Sequence, residues 1–413
     1  MKENVFSRFE RYARIDTQSS EESESFPSTK GQIALAELLV SELRELGIGD
    51  AAYDPAGGCV YAHIPANDGG ASKRTIGFIS HLDTSPETSG KNVSPRLVED
   101  YEGGEIVLDG EKGIVLSPEV YPELLNYTGK TLIVTDGSTL LGADDKAGIA
   151  EIMTAAAELM SENAPAHGRI AIAFTPDEEI GGGISRFDLE RFGADHAFTE
   201  DGGALGELEY ECFNAASAKI RVSGVSIHTG EAKGKMKNAS RIAMEFDGML
   251  PAEERPELTE GYEGFFHLES MEGGVEECRL EYLIRDHDKE KFFAKKQLMF
   301  TNARALNARY GEGTVSAVVK DTYYNMKEKI YPDNMFLIDI AKECMKELGI
   351  EPKVKPIRGG TDGANLSYRG LPCPNLCAGG HNFHGRYEYC CLESMEKIVE
   401  LIERIAVRYG SDR

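Results

Sequence analysis

The stretch Thr75–Thr84, TIGFISHLDT, does most to limit what this chain can fold into. It reads as a short buried strand that ends in His81-Leu82-Asp83. A continuous apolar run of this length suits a strand covered on both faces, the habit of parallel sheets flanked by helices. A His and an Asp two residues apart at the exit of such a strand are placed to hold a metal ion. The imidazole ligates and the carboxylate can orient it. In an open α/β sheet, ligands gather at the carboxyl ends of the strands. Other strand exits that carry ligating groups are therefore the next thing to find.

Ile170–Thr175 reads as a second buried strand and ends in Pro176-Asp177-Glu178-Glu179. His196–Thr199 reads as a third and ends in Glu200-Asp201-Gly202-Gly203. A strand at Asn375–Cys377 runs into Ala378-Gly379-Gly380-His381-Asn382-Phe383-His384-Gly385. A short strand at Thr131–Thr135 feeds Leu141-Gly142-Ala143-Asp144-Asp145-Lys146, just before a helix expected over Ile149–Met160. Each cluster alone has an ordinary reading. Asp144-Asp145 can be a helix N-cap pair, Glu178-Glu179 a solvated turn and His384 a satisfied loop histidine. Collected on one sheet edge, they point to a metal centre.

Around these strands the 3.6-residue period predicts helices over 4–14, Gln32–Leu46, Met335–Leu348 and Leu392–Tyr409. Residues 85–130 are punctuated by Gly and Pro and are expected to hold a hairpin and a loop over one edge of the fold. Residues 213–325 change character and read strand, helix, strand, strand, helix, strand, the ferredoxin-like order. The expected fold class is α/β. A larger domain, 1–212 and 326–413, carries a mostly parallel mixed sheet flanked by helices, and a ferredoxin-like α+β domain, 213–325, is inserted into it.

Composition excludes some partners. With 45 Lys and Arg against 70 Asp and Glu, the net charge of −25 argues against nucleic acid and anionic membranes, both of which want basic patches. No run approaches the roughly 18 apolar residues of a membrane span. The opening residues MKENVFSRFERYARID lack the apolar core of a secretory signal. The eight Cys form no CxxC pair, so reduced thiols and a cytoplasmic location are expected.

Two His and several carboxylates suit Zn²⁺, less specifically Mn²⁺ or Co²⁺. Three ligating carboxylates and one free base would carry four negative charges, which two divalent cations offset. One of two adjacent glutamates can bind metal while its neighbour moves a proton. Residue types alone leave open Asp144 or Asp145, Glu178 or Glu179, and His381 or His384.

The blocks HLDTSPETSGKNV, LLGADDKAGIAEIM, FTPDEEIGGG, FTEDGG, RGGTDGANLS and GGHNFHGRYE, in this order, closely resemble the tripeptide aminopeptidase branch of the dizinc exopeptidase family. That family also contains carboxypeptidase G-type enzymes and aminoacylases. The resemblance implies that His81 and Asp201 hold one zinc, that Glu179 and His384 hold the other, and that Asp144 bridges them. Asp83 would orient His81. Glu178 would be the general base and then the acid, in an attack by a metal-bound hydroxide on the first peptide carbonyl. The larger domain would be catalytic and the inserted one a lid. From the lid, His228 would stabilise the oxyanion. Arg285, with Arg358 as a second candidate, would grip the carboxylate of a short peptide, chiefly a tripeptide. A dipeptidase or N-acyl amino acid deacylase would use the same scaffold, and a homodimer paired through lid sheet edges is a further expectation from the family.

Overall fold

A computed structural model describes residues 3–411 of the chain. They fall into two compact units, Met1–Tyr210 with Glu328–Lys355 and Thr361–Arg413, and Glu211–Lys327 with Pro356–Gly360.

The first unit is built on an eight-stranded sheet. Side by side, its strands are Ala52–Tyr53, Val60–Ile64, Ile170–Thr175, Ile76–His81, His196–Gly202, Asn375–Cys377, Glu207–Glu209 and Lys353–Val354. The central four, from Ile170–Thr175 to Asn375–Cys377, are mutually parallel, and antiparallel pairings flank them. Every residue of Ile76–His81 and of Ile170–Thr175 is buried. The reason is visible in neighbouring side chains. Phe78 points into a cluster with Phe174, Phe198, Met153 and Ile402. Ile79, on the opposite pleat, points into a second cluster with Ala173, Ala197, Phe187 and Phe192. With both faces covered, no alternation of polar residues is tolerated. Phe78 is 1% exposed, and its loss to Ala would cost about 3–5 kcal/mol. Gly77 completes the packing, because a Cβ there would sit 2.4 Å from the Phe192 ring.

Because the four central strands are parallel, their carboxyl ends share one edge. The strand opened by Ile76 ends at His81, short of Thr84. Leu82 then donates its N–H to Thr175 O at 2.7 Å, and Thr84 bridges to Gln18. The helix expected from Ile149 begins earlier, at Ala143, and runs to Leu159. Asp144 (φ −87°, ψ 103°) and Asp145 (φ −123°, ψ 31°) depart from helical geometry, so regular winding starts only after them. Residues 85–130 contribute the hairpin Ile106–Asp109/Ile114–Leu116 and the strand Arg96–Val98. That strand joins Leu132–Val134, Tyr389–Cys391 and Gly380–His381 in a separate four-stranded sheet.

The second unit holds a four-stranded antiparallel sheet, ordered Phe265–Gly273, Glu277–Asp286, Asn214–Ser223 and Val315–Tyr323. The crossing helices are Ala239–Asp247 and Lys289–Tyr310. Phe246, Phe292 and Met299 from these helices pack on Ile220, Leu280 and Ile284 of the sheet. The edge strand Lys353–Val354 of the first unit is short. Beyond it the N–H groups of Lys355 and Ile357 still meet Leu208 O and Glu211 O, at 3.3 and 2.8 Å. Residues Pro356–Gly360, Arg358 among them, belong to this second unit rather than to the larger domain. No helix among the described residues is long and apolar enough to cross a membrane.

Candidate metal centre

The strand exits converge. His81 Nε2 lies 2.8 Å from Asp144 Oδ1 and 3.5 Å from Asp201 Oδ1. His384 Nε2 lies 3.2 Å from Asp144 Oδ2 and 3.0 Å from Glu179 Oε2. Two groups result, His81/Asp144/Asp201 and Asp144/Glu179/His384, and within each the donor atoms lie inside 4.8 Å of one another. Asp144 belongs to both and turns one oxygen to each.

Backbone geometry aims these side chains. His384 sits at φ 64° and Asn382 at φ 55°, left-handed conformations in the turn after Gly380–His381. Asp177 (φ 52°) pins the turn that presents the two glutamates. Its carboxylate accepts N–H bonds from Ser28 and the Gln32 amide, each at 2.7 Å. Asp83 is fully buried and accepts the N–H of Glu178 at 2.9 Å and of Glu179 at 3.1 Å. Its Oδ1 also lies 3.3 Å from His81 Nδ1, whose nearer neighbour is the Asp83 carbonyl at 3.0 Å. One carboxylate thus fixes the imidazole and the glutamate turn together.

Three further buried acids complete the centre: Asp145, the open alternative to Asp144, and Glu388 and Asp362, which the sequence reading did not single out. Asp145 accepts the His81 N–H at 3.1 Å and the Ser80 hydroxyl. Glu388 accepts the N–H groups of Leu141, Gly142 and Asp144 at 2.6, 2.9 and 3.1 Å, which holds the loop that delivers Asp144. Asp362 accepts the Thr175 hydroxyl at 2.8 Å. Glu388 closes the block GGHNFHGRYE, and a glutamate leading into a buried Tyr-Cys-Cys strand is the signal that could have marked it.

The electrostatics reflect crowding. Burial opposes a charged His81, yet hydrogen bonds to Asp144, Asp201 and Asp83 raise its pKa well above the ordinary value. Burial likewise opposes a charged His384, but Asp144 and Glu179 raise it to about 11. Burial also disfavours the Asp144 carboxylate, and the His384 and His81 imidazoles more than offset this, holding it well below the usual range. Burial, with Asp144 beside it, pushes Glu179 up to about 7. Glu178 is raised well above its ordinary value by burial, then by Asp201 and Asp362. Positive charge is in demand at the mouths of both groups. The donor set of imidazoles and carboxylates is of the kind divalent transition ions take. Glu179 Oε1, buried with no hydrogen-bond partner among the described residues, adds a free donor. The residues therefore fit a pair of divalent cations.

The remaining candidates lie in the second unit. His228 is exposed, and its Nδ1 accepts the Gly230 N–H at 3.2 Å. Arg285 donates from Nη1 to the carbonyls of Ala216 and Ile284, and its guanidinium lies 5.4 Å from the Tyr323 ring centre. Arg358 uses both terminal nitrogens on Gly261 O, Glu263 O and Thr259 Oγ1, and stacks near Phe213 and Phe265.

Comparison with known proteins gives a consistent lineage. Residues 133–408 match the model of peptidase family M20/M25/M40. A peptidase T of Alkaliphilus oremlandii is 56% identical over 409 residues, covering 98% of this chain and 99% of that protein. A peptidase T of Geobacillus thermodenitrificans is 56% identical over 405 residues, covering 98% of each. Among solved structures, a tripeptidase of Staphylococcus aureus superposes with a TM-score of 0.79 at 21% identity, covering 99% of this chain and 98% of that one. The aminopeptidase PepT of Bacillus cereus does so with a TM-score of 0.76 at 24% identity over the same shares, and both likenesses bear on the fold. The chain belongs to peptidase family M20/M25/M40 and is by class a peptidase hydrolase.

Proposed function

We propose that the chain is a dizinc aminopeptidase that releases the N-terminal residue of tripeptides. The observation that carries the reading is the pair of donor groups joined through Asp144, with Glu178 next in sequence to one member. His81 and Asp201 would hold one ion, Glu179 and His384 the other, and Asp144 both. Zn²⁺ is the ion that best suits this set, with Co²⁺ or Mn²⁺ as substitutes. Cations held there lower the pKa of a water and polarise a carbonyl. The chain's own groups do the rest. Glu178 takes the proton of the attacking water and returns it to the leaving amine, a role its raised proton affinity supports. Asp83 orients His81 and ties the N–H groups of Glu178 and Glu179, which keeps base and ligand in register.

His228 is assigned to the oxyanion and Arg285 to the substrate carboxylate. Arg285 is the better clamp, since its Nη2 and Nε make no hydrogen bond among the described residues, whereas Arg358 has engaged both terminal nitrogens. Names of the relatives support a peptide substrate, and one structural neighbour is described as a tripeptidase. Eight free, buried cysteines accord with a reducing, cytoplasmic setting.

The test is a panel of a tripeptide, a dipeptide and an N-acetyl amino acid offered to zinc-loaded protein and to Glu178→Gln. Turnover should favour the tripeptide, and Glu178→Gln should keep its metal while losing a factor of about 10²–10⁴ in kcat. Preference for the dipeptide or the acyl amino acid would replace the tripeptidase reading. Full activity of Glu178→Gln would remove the glutamate from its role.

A further inference from the structure

A cavity of about 810 Å³ opens on the first unit, and none of the five clustered donor residues lines it. Its walls come from the turn Pro122–Tyr127, the edge strand Lys353–Val354 and the start of the helix Leu392–Ser411. Several of its charges are already satisfied. Lys397 pairs with Glu400 at 2.9 Å, Lys355 pairs with Glu207, and Glu393 accepts the Thr131 N–H through both oxygens. Four are left. Lys130, Lys353, Glu123 and Glu396 line the cavity, and among the described residues their side chains make no ion pair or hydrogen bond.

Two unpaired cations and two unpaired anions around one volume describe the ligand. A phosphate or a dicarboxylate would meet the glutamates, and a polyamine would meet the lysines. A zwitterion satisfies both. Its body also has a surface to rest on. The Tyr127 hydroxyl is hydrogen-bonded to His381 Nε2, and the His381 ring stacks on Tyr389 with centroids 4.7 Å apart and planes 11° off parallel. The volume lies within the range of sites for small molecules.

We propose that this cavity is a second site that binds a short zwitterionic peptide, carboxylate toward Lys130 and Lys353 and ammonium toward Glu123 and Glu396. The inference does not depend on the tripeptidase reading, because it is read as binding without turnover.

Isothermal titration of the metal-loaded protein with D-Ala-D-Ala tests it, since that dipeptide carries both end charges on D-residues. The Lys130→Ala/Lys353→Ala variant should bind it at least tenfold more weakly, and so should Glu123→Gln/Glu396→Gln. The same peptide blocked by N-acetylation and C-amidation should give no binding heat. Lys130, Lys353 and Glu396 are exposed and Glu123 is half-buried, and an unchanged melting temperature with unchanged turnover of the enzyme's peptide substrate confirms intact folding. Binding of D-Ala-D-Ala that survives both double substitutions would put it at another site and overturn the proposal. So would weakening by the lysine pair alone, which would make this an anion site, and so would no binding at millimolar peptide.

Discussion

Among the described residues Glu388 hydrogen-bonds to the two donor groups only through the backbone N–H of Asp144, which makes it a sharp probe of how the centre is held. Its Oε2 accepts two N–H groups, from Leu141 and Gly142, and its Oε1 accepts the third, from Asp144. In Glu388→Gln one oxygen remains. If it keeps the two N–H groups of the loop, the new amide NH₂ faces the Asp144 N–H, donor against donor. One buried hydrogen bond to a charged acceptor is then lost, worth about 1.5–3 kcal/mol. The strain falls on Asp144, the residue shared by both donor groups. Removal of such supporting partners typically costs 10–100-fold in metal affinity, or about 1.4–2.8 kcal/mol, so the two figures agree. The assay is metal competition against a calibrated chelator, with thermal unfolding of the same samples. The expected result is a 10–100-fold weaker metal constant and partial recovery of kcat at excess metal. A metal constant within twofold of the wild type, with an unchanged melting temperature, would refute the reasoning.

Stripping the metal with a chelator should lower the melting temperature, and restoring the cation to about 100 times its Kd should return roughly 2.7 kcal/mol; a melt indifferent to metal would remove the cations from the fold. Glu151, fully buried with neither oxygen hydrogen-bonded among the described residues, has its pKa raised well above 4.5 by burial and then by Glu200 and Asp145. The folded state therefore keeps a proton that the unfolded chain gives up, so this group's contribution is whole below about pH 4.5 and is lost as pH rises toward the folded pKa. Glu151→Gln should flatten the decline of stability between pH 5 and 8 in urea titrations, and a parallel decline in both proteins would refute it. Arg285→Ala should raise KM for tripeptides at least tenfold and leave a C-terminally amidated tripeptide little changed; unchanged kcat/KM on the free tripeptide would exclude the clamp.

The strand exits were legible because physics leaves little choice there. A parallel strand covered on both faces must be apolar throughout, so the first His, Asp or Glu marks where it leaves the core, as at His81 and after Thr175. Parallelism then brings exits distant in sequence to one edge. Choices between neighbours were not legible from residue type. Asp144 and Asp145 differ in direction through backbone angles outside the helical region, so Asp144 meets both histidines while Asp145 turns to Ser80. Glu388 escaped notice because its partners are backbone N–H groups some 250 residues away, which no local pattern encodes. The transfer of Arg358 to the second unit rests on partners about a hundred residues away, Gly261 O and Glu263 O, which no local pattern encodes.

The insertion of the second unit has a consequence for the order of events during synthesis. His81, Asp144, Glu179 and Asp201 are all made before residue 211, and three of the parallel strands that present them are complete by then. His384 comes only after the whole insertion and after the strand Asn375–Cys377 that docks beside His196–Gly202. The donors of the group around His81 are thus all on the chain before the insertion, whereas His384, and the Glu388 carboxylate that holds the loop of Asp144, follow it. The two halves of one centre carry different birth dates, and occupancy of the later half certifies that the C-terminal segment has reached its place.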